Sequence, residues 1–109
     1  MATTIKVLGQ IVPSAATLTT LYTVGAATST VVSSLVVCNQ SSITTSFRVA
    51  IRPAGAAIAP AHYIYYDVTI AGNDTFIFTG GITLATTDVI SVYATLATLS
   101  FSAYGQETT

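Results

Sequence analysis

Charged residues are scarce in this sequence. Lys and Arg number three and Asp and Glu four, so only 6% of the 109 residues carry a charge, against about 25% in an ordinary domain. A surface of Thr, Ser and Ala loses little hydration when another molecule covers it. The composition therefore favours a subunit with several covered faces over the alternative, a monomer coated with Thr and Ser. Since no basic patch is present, we do not expect a nucleic-acid partner.

The chain is also poor in side chains that perform chemistry. It has one cysteine, Cys38, which excludes an intrachain disulfide and which we expect to be buried and inert. Its single histidine, His62, would have to serve any acid–base mechanism, and we interpret it as a loop residue bonded to the backbone or to a neighbouring chain. Asp74 and Asp88 lie in turn sequences, where aspartate caps its own backbone. We therefore predict no enzyme activity, no catalytic residue, no metal site and no cofactor.

Long hydrophobic runs are missing as well. The longest run lies around residues 31–38, far below the ~20 residues that a membrane helix needs. The first residues lack the charged and then apolar pattern of a signal peptide. We therefore expect no membrane partner.

What the chain has is a repeating strand pattern. β-Branched and aromatic residues alternate with polar ones, and turn sequences recur about every ten residues, as in sandwiches and barrels. The predicted strands are residues 5–12, 18–24, 30–38, 45–52, 61–70, 75–79, 88–94 and 99–104. We predict an all-β fold, a single-domain antiparallel β-sandwich over residues 1–109, jelly-roll-like, with seven or eight strands, and keep a small closed barrel as the alternative. Residues 1–4 and 106–109 are candidate flexible arms. Both faces of residues 30–38 are apolar or small, which predicts a central strand or one covered by another chain.

The stretch from residue 47 to residue 78 organises the rest. Its first two strands alternate cleanly, and one register places all the apolar side chains on one face. In that register the pairs are Phe47 with Val68, Arg48 with Asp67, Val49 with Tyr66, Ala50 with Tyr65, Ile51 with Ile64 and Arg52 with Tyr63. The register predicts Ile64 and Tyr66 in the core and a polar, aromatic patch on the outer face.

That outer patch is the candidate functional site, formed by Arg48, Arg52, Tyr63, Tyr65 and Asp67. Tyr and Arg are enriched in protein interfaces, so we interpret the patch as a subunit contact. Two alternatives stay open. The charges can pair only with each other on an exposed sheet, or the rings and the carboxylate can bind a sugar.

Several phrases together carry a family resemblance. They are SSLVVCNQSS, FRVAIRPAG, HYIYYDVTIAGNDTF, LATTDVISVYA and SFSAYGQE. From about residue 5 to residue 107 the chain resembles small β-sandwich virion structural proteins of tailed bacteriophages, of the capsid decoration (cement) or tail-associated type.

The resemblance implies a non-enzymatic virion component, made in the host cytoplasm and located in the phage particle. Its expected partners are copies of itself, in a homotrimer or other cyclic homo-oligomer, and the major capsid protein or other virion proteins. The leading prediction is capsid decoration that stabilises the head, with residues 5–12 and the polar termini as arms that reach neighbours. The alternative is a tail-fibre, baseplate or receptor-binding module of the tail that contacts host-surface saccharide.

Overall fold

The computed structural model describes residues 2–109 and is all-β over that range, as predicted. The described residues form nine strands and two short 3-10 turns, at Pro53–Gly55 and Pro60–His62. The strands are β1 (Thr3–Ile11), β2 (Thr19–Thr23), β3 (Ser29–Asn39), β4 (Thr45–Arg52), β5 (Tyr63–Ile70), β6 (Thr75–Phe78), β7 (Ile82–Leu84), β8 (Val89–Ala94) and β9 (Leu99–Thr108). None of the described elements is an apolar helix long enough to cross a membrane.

The strands form a jelly-roll sandwich of two antiparallel sheets. The five-stranded sheet has the order β1-β9-β3-β6 with β7 also on β3, and the four-stranded sheet has the order β2-β8-β4-β5. The pairs are nested: β4 with β5, β3 with β6 and β7, β2 with β8, and β1 with β9. This nesting of paired strands across two sheets is the jelly-roll arrangement, so the predicted architecture is confirmed.

The strand count is nine where the pattern predicts seven or eight. The extra strand is β7, which follows the Gly80-Gly81 break. Both β6 and β7 pair with β3, so together they occupy one position of the jelly roll. β3 lies between β9 and these two short strands, which confirms that it is central.

The core lies between the inner faces of the sheets, where alternate residues of each strand point. Phe47 of β4 is at its centre with no exposed surface. Its ring centroid lies 5.3 Å from that of Phe76 and 6.1 Å from that of Phe101. These rings come from both sheets, so Phe47 joins the two layers. Cys38, by contrast, is a free, half-buried thiol, where a buried one is expected.

The predicted register of β4 and β5 is correct only at one end. Phe47 pairs with Val68 as predicted, but Val49 pairs with Tyr65 and Ala50 with Tyr63. Two extra residues are therefore inserted in β5, and Asp67 adopts the left-handed φ of 52°. Each bulge shifts the alternation of the strand by one residue. The predictions of Tyr66 and Ile64 in the core and Tyr65 outside are wrong. On the N-terminal side of Asp67, the residues of β5 that face the core are those that the regular alternation would place outside.

The chain ends lie in paired strands. Thr3 and Thr4 belong to β1, and residues 106–108 belong to β9. The Ala2 and Thr109 backbones exchange both hydrogen bonds, at 3.1 and 2.9 Å. Of the arms predicted at residues 1–4 and 106–109, Met1 lies outside the described residues.

A buried asparagine fixes the connection between β3 and β4. The Asn39 amide nitrogen donates to the carbonyls of Ile43 and Ala71, at 2.8 and 3.2 Å, and its oxygen accepts from the Ser41 amide.

We expect Asn39→Ala to lower the free energy of unfolding by about 1–3 kcal/mol, because three backbone groups lose their partner. Denaturant unfolding measures this. Gln40→Ala, at the adjacent exposed position, is the control, and an equal effect in both variants would contradict the role of Asn39.

A polar cluster links four strands at another point. The Tyr22 hydroxyl donates its only hydrogen to the Glu107 carboxylate. In the 2.8 Å bond between Tyr22 and Thr30, the Thr30 hydroxyl is therefore the donor and the tyrosine oxygen the acceptor. Lys6 donates to the other oxygen of Glu107 at 3.2 Å. The bonds from Tyr22 and Lys6 lower the pKa of Glu107 below its ordinary value of 4.5. Burial, and then the hydrogen bond to Glu107, raise the pKa of Tyr22 to about 12.

These shifts predict two pH limits of stability. The folded pKa of Glu107 is depressed, so its contribution is complete above the unfolded value of 4.5 and is lost as the pH falls. Tyr22 favours its neutral form in the fold, so its contribution is lost as the pH rises from 10 towards 12. We expect Glu107→Gln to flatten the acid limb of a plot of unfolding free energy against pH. An acid limb identical to that of the wild type would contradict this assignment.

Candidate functional site

The outer face of the four-stranded sheet carries a cluster around Arg48, here called the Arg48 cluster. It consists of Arg48 on β4, Asp67, Tyr66 and Tyr63 on β5, and Tyr93 on β8. The Arg48 guanidinium donates through Nε to Asp67 Oδ1 at 2.6 Å and through Nη2 to Oδ2 at 3.3 Å. The predicted pair of Arg48 with Asp67 is therefore confirmed, and the fork geometry gives it a fixed orientation.

Two tyrosine rings enclose the guanidinium. Arg48 Cζ lies 4.1 Å from the ring centroid of Tyr66 and 4.3 Å from that of Tyr93. Tyr63 meets Tyr66 edge to face, with centroids 4.9 Å apart. Each cation–π contact of this kind contributes about 0.5–1 kcal/mol at an exposed site. The hydrogen bond that Arg48 donates to Asp67 also raises the pKa of Arg48, so the guanidinium keeps its charge.

Two members of this cluster, Tyr66 and Tyr93, are not predicted by the sequence pattern. Tyr66 is predicted inside because the bulge at Asp67 is invisible in the alternation. Tyr93 comes next to Arg48 through the pairing of β4 with β8, which joins strands far apart in the chain. The only sequence signal for Tyr93 is its place between the core residues Val92 and Ala94, which predicts an outward side chain.

Tyr65 does not belong to the outer patch. Its ring packs inside, with centroids 5.1 Å from Phe76 and 5.7 Å from Phe78. Burial raises the pKa of its hydroxyl. The structure thus separates Tyr65 from the patch to which the sequence pattern assigns it.

Arg52 lies on the outer face, but its guanidinium holds the following connection. It donates to the carbonyls of Ala56 at 2.8 Å and Gly55 at 3.0 Å, and to Ser91 Oγ at 3.2 Å. Asp88 accepts the Ala54 amide hydrogen at 2.9 Å on the same connection. Ser91 has no exposed surface. Arg52 is therefore a positioning residue for the connection between β4 and β5.

An open depression of about 500 Å³ lies beside the cluster. Its lining residues are Ile58, Ala59, Pro60, Tyr63 and Tyr66. The lining is aromatic and aliphatic, and two of its residues, Tyr63 and Tyr66, also belong to the Arg48 cluster. Such a surface suits an apolar side chain of a partner or the flat face of a sugar ring.

The other polar residues bond to the backbone near them. The His62 Nδ1 atom accepts the Ala59 amide hydrogen at 3.1 Å, which confirms the interpretation of His62 as a loop residue. Asp74 accepts from the Thr75 amide and Asp88 from the Ala85 amide, at 2.8 and 2.9 Å, so both cap turns as predicted. Across residues 2–109, no three His, Cys, Asp or Glu side chains converge as a metal site would require.

We expect Arg48→Lys to lower the free energy of unfolding by about 1 kcal/mol, although the charge is kept. Lysine lacks the planar fork that meets Asp67 and the flat surface that contacts the rings. Chemical denaturation of the isolated chain measures the change. Tyr66→Phe keeps the ring and is the matched control, with an expected change of a few tenths of a kcal/mol, about the range of surface substitutions. If Arg48→Lys has wild-type stability, the enclosure of the guanidinium has no energetic role.

We compared the chain with known proteins in three ways. Neither protein-family models, nor curated proteins, nor solved structures gave a match to the chain.

Proposed function

We propose that the chain is a non-enzymatic structural subunit of a tailed-phage particle, and that it binds the head as a capsid decoration or cement protein. Its partners are copies of itself, in a homotrimer or another small cyclic oligomer, and the major capsid protein or other virion proteins. One observation carries the proposal: every charged side chain is already engaged within its own chain.

All seven charged groups have an intramolecular partner. The pairs are Lys6 with Glu107, Arg48 with Asp67, Arg52 with the Gly55 and Ala56 carbonyls, Asp74 with the Thr75 amide, and Asp88 with the Ala54 and Ala85 amides. Four of these charges form two ion pairs, so a partner that covers those pairs need not supply counter-charges for them. Because the chain has only seven charged side chains, few ions lose water when its surface is covered.

Large apolar side chains are exposed on more than one side of the sandwich. Ile5 and Ile77 lie on the outer face of the five-stranded sheet, with 84% and 60% of their surface exposed, and Tyr66 lies on the opposite sheet. Single exposed apolar residues are common on monomers. Their spread over a nearly ion-free surface supports a subunit with several contacts, as an assembled shell requires.

The assignment to a phage particle rests on the resemblance of the sequence phrases given above. The fold is compatible with it, because jelly rolls are frequent in viral structural proteins. Fold alone does not specify function, so the particle assignment needs a binding experiment.

The direct test mixes the purified chain with phage heads that lack it and measures co-sedimentation. We expect saturable binding, and we expect Tyr66→Ala to weaken it about tenfold or more if the Arg48 cluster is the contact. Thr69→Ala, at an exposed position on the same strand, is the matched control. A chain that stays in the supernatant at every concentration would overturn the cement assignment.

A second candidate is a tail module that contacts host-surface saccharide, and the depression beside Tyr63 and Tyr66 favours it. Aromatic rings next to a carboxylate suit a sugar ring. A glycan array would show binding that Tyr66→Ala abolishes. The absence of any signal, together with binding to heads, would eliminate this candidate.

A further inference from the structure

The four sheet edges of the sandwich differ in how well they are protected against pairing with another chain. An unprotected edge presents unpaired N–H and C=O groups to any extended segment. β2 is five residues long with an irregularity after Thr20. β5 has two bulges, and β6 and β7 are four and three residues long. Each of these edges is short or distorted.

The outer edge of β1 is neither short nor distorted over its first half, and Lys6 is the one charged side chain on it. Thr3 to Val7 pair with β9 without interruption, and the first irregularity comes between Val7 and Gly9. All five of these residues are exposed. β1 therefore offers a regular edge that extends beyond the cover of the second sheet.

The hydrogen-bond pattern shows which groups face outward. Ala2 and Thr109 exchange both backbone bonds, and bonded and non-bonded pairs alternate along an antiparallel ladder. Thr4 and Lys6 consequently direct their backbone groups to β9. Thr3, Ile5 and Val7 direct theirs to the open edge.

We propose that two copies of this chain pair through β1, antiparallel, about a twofold axis at Ile5. Ile5 then faces Ile5 of the second copy, and Thr3 faces its Val7. All three outward-facing residues of each copy enter bonded pairs, which gives about six backbone hydrogen bonds. The two five-stranded sheets become one continuous sheet.

The charges fit a second copy at this register. Lys6 is the one charged residue of β1, and its ammonium already binds Glu107 of its own chain at 3.2 Å. In the paired edges Lys6 directly faces Thr4, and the Lys6 of the second copy is its diagonal neighbour. Because each ammonium is paired with Glu107 of its own chain, the two like charges are each neutralised locally. The side chains beside the seam on the outer face are uncharged, namely Ile5, Val7, Tyr104, Gln106 and Val31.

Ile5 supplies an apolar contact at the centre of the seam. It is 84% exposed in the single chain, and directly opposed side chains of paired strands contact each other. Five paired residues form a contact below the standard interface size, so we expect a dissociation constant of about 10–100 µM. The pairing deepens the proposed function and rests on it, because a weak contact becomes effective when copies are concentrated on a particle.

The test is sedimentation equilibrium of the purified chain from about 1 µM to 1 mM, with three variants. Ile5→Pro removes an outward N–H, so the bonds of β1 to β9 stay while the seam is blocked. Ile5→Lys places like charges on the twofold axis, and it is the disrupting variant to use if Ile5→Pro does not fold. Ile77→Lys, on the far edge of the same sheet, is the control.

We expect a dimer for the wild type and for Ile77→Lys, and at least a tenfold loss of dimer affinity for both Ile5 variants. A wild type that is monomeric at 1 mM, a concentration about tenfold or more above the expected constant, would overturn the pairing. So would an oligomer that Ile77→Lys disrupts and the Ile5 variants do not. A monomer that still binds heads would overturn the pairing alone, whereas a β1 dimer that never binds heads would overturn the cement function alone.

Discussion

Phe47→Ala is expected to lower the free energy of unfolding by about 3–5 kcal/mol. The side chain is fully buried and contacts rings from both sheets, Phe76 and Phe101 on one and Tyr65 on its own. The cavity left by the ring cannot collapse easily, because strands of both layers are fixed around it. A loss of this size is a large part of the total stability of a small domain.

Equilibrium denaturation in urea or guanidinium measures the Phe47 effect. Ile43→Ala is the control, since Ile43 is a large apolar residue with 60% of its surface exposed, and its expected change is within about 0.5 kcal/mol. A Phe47→Ala variant that loses less than about 1 kcal/mol, the typical effect of any point mutation, would mean that Phe47 does not join the sheets as described.

Gly105→Ala is the second substitution with a large expected effect, a loss of about 2–4 kcal/mol. Gly105 lies in β9 between Lys6 of β1 and Val32 of β3. A Cβ atom there would lie 2.0 Å from the Val31 carbonyl oxygen and 2.9 Å from Val32 Cα. These are backbone atoms of β3, which pairs with β9. β3 therefore cannot move away from the new methyl group without breaking hydrogen bonds between the two strands.

The control for Gly105 is Gly25→Ala. A Cβ at Gly25 would meet only the Thr28 hydroxyl, at 3.6 Å, an ordinary contact. Thermal unfolding of the two variants should differ by about 8 °C or more for a domain of this size. Equal melting temperatures would contradict the close approach of β9 to β3.

The fold class follows from local patterns. Alternation and turn spacing predict a jelly-roll-like sandwich, and both apolar faces of residues 30–38 predict the central position of β3. These features depend on residues close in sequence, and they are confirmed. β7 escapes prediction because three residues after a Gly-Gly break carry too little pattern.

The candidate site could be predicted only in part. Arg48 with Asp67 follows from the alternation next to Phe47 and Val68, where the register is regular. Beyond Asp67 the prediction is wrong, because a left-handed aspartate inserts a bulge that an Ile-Tyr-Tyr sequence does not signal. Tyr and Ile fit either face of a strand, so nothing in the letters shows that Tyr65 turns inward and Tyr66 outward.

Contacts between strands that are far apart in the chain could not be predicted from alternation for a different reason. Tyr93 reaches Arg48 through β8, and Lys6 reaches Glu107 through the pairing of the two terminal strands. Which distant strands pair depends on the whole topology, and alternation within a strand does not contain it. These contacts engage the charged side chains within the chain, which is the basis of the proposed function.

The measurement that tests this proposal most directly is cryo-electron microscopy of the native phage particle. The proposal predicts copies of this sandwich arrayed on the head shell, with outer surfaces that carry few charges in contact with capsid protein or with each other. Copies confined to the tail would favour the saccharide-contacting module instead. The absence of the chain from particles would contradict a role as a virion structural subunit.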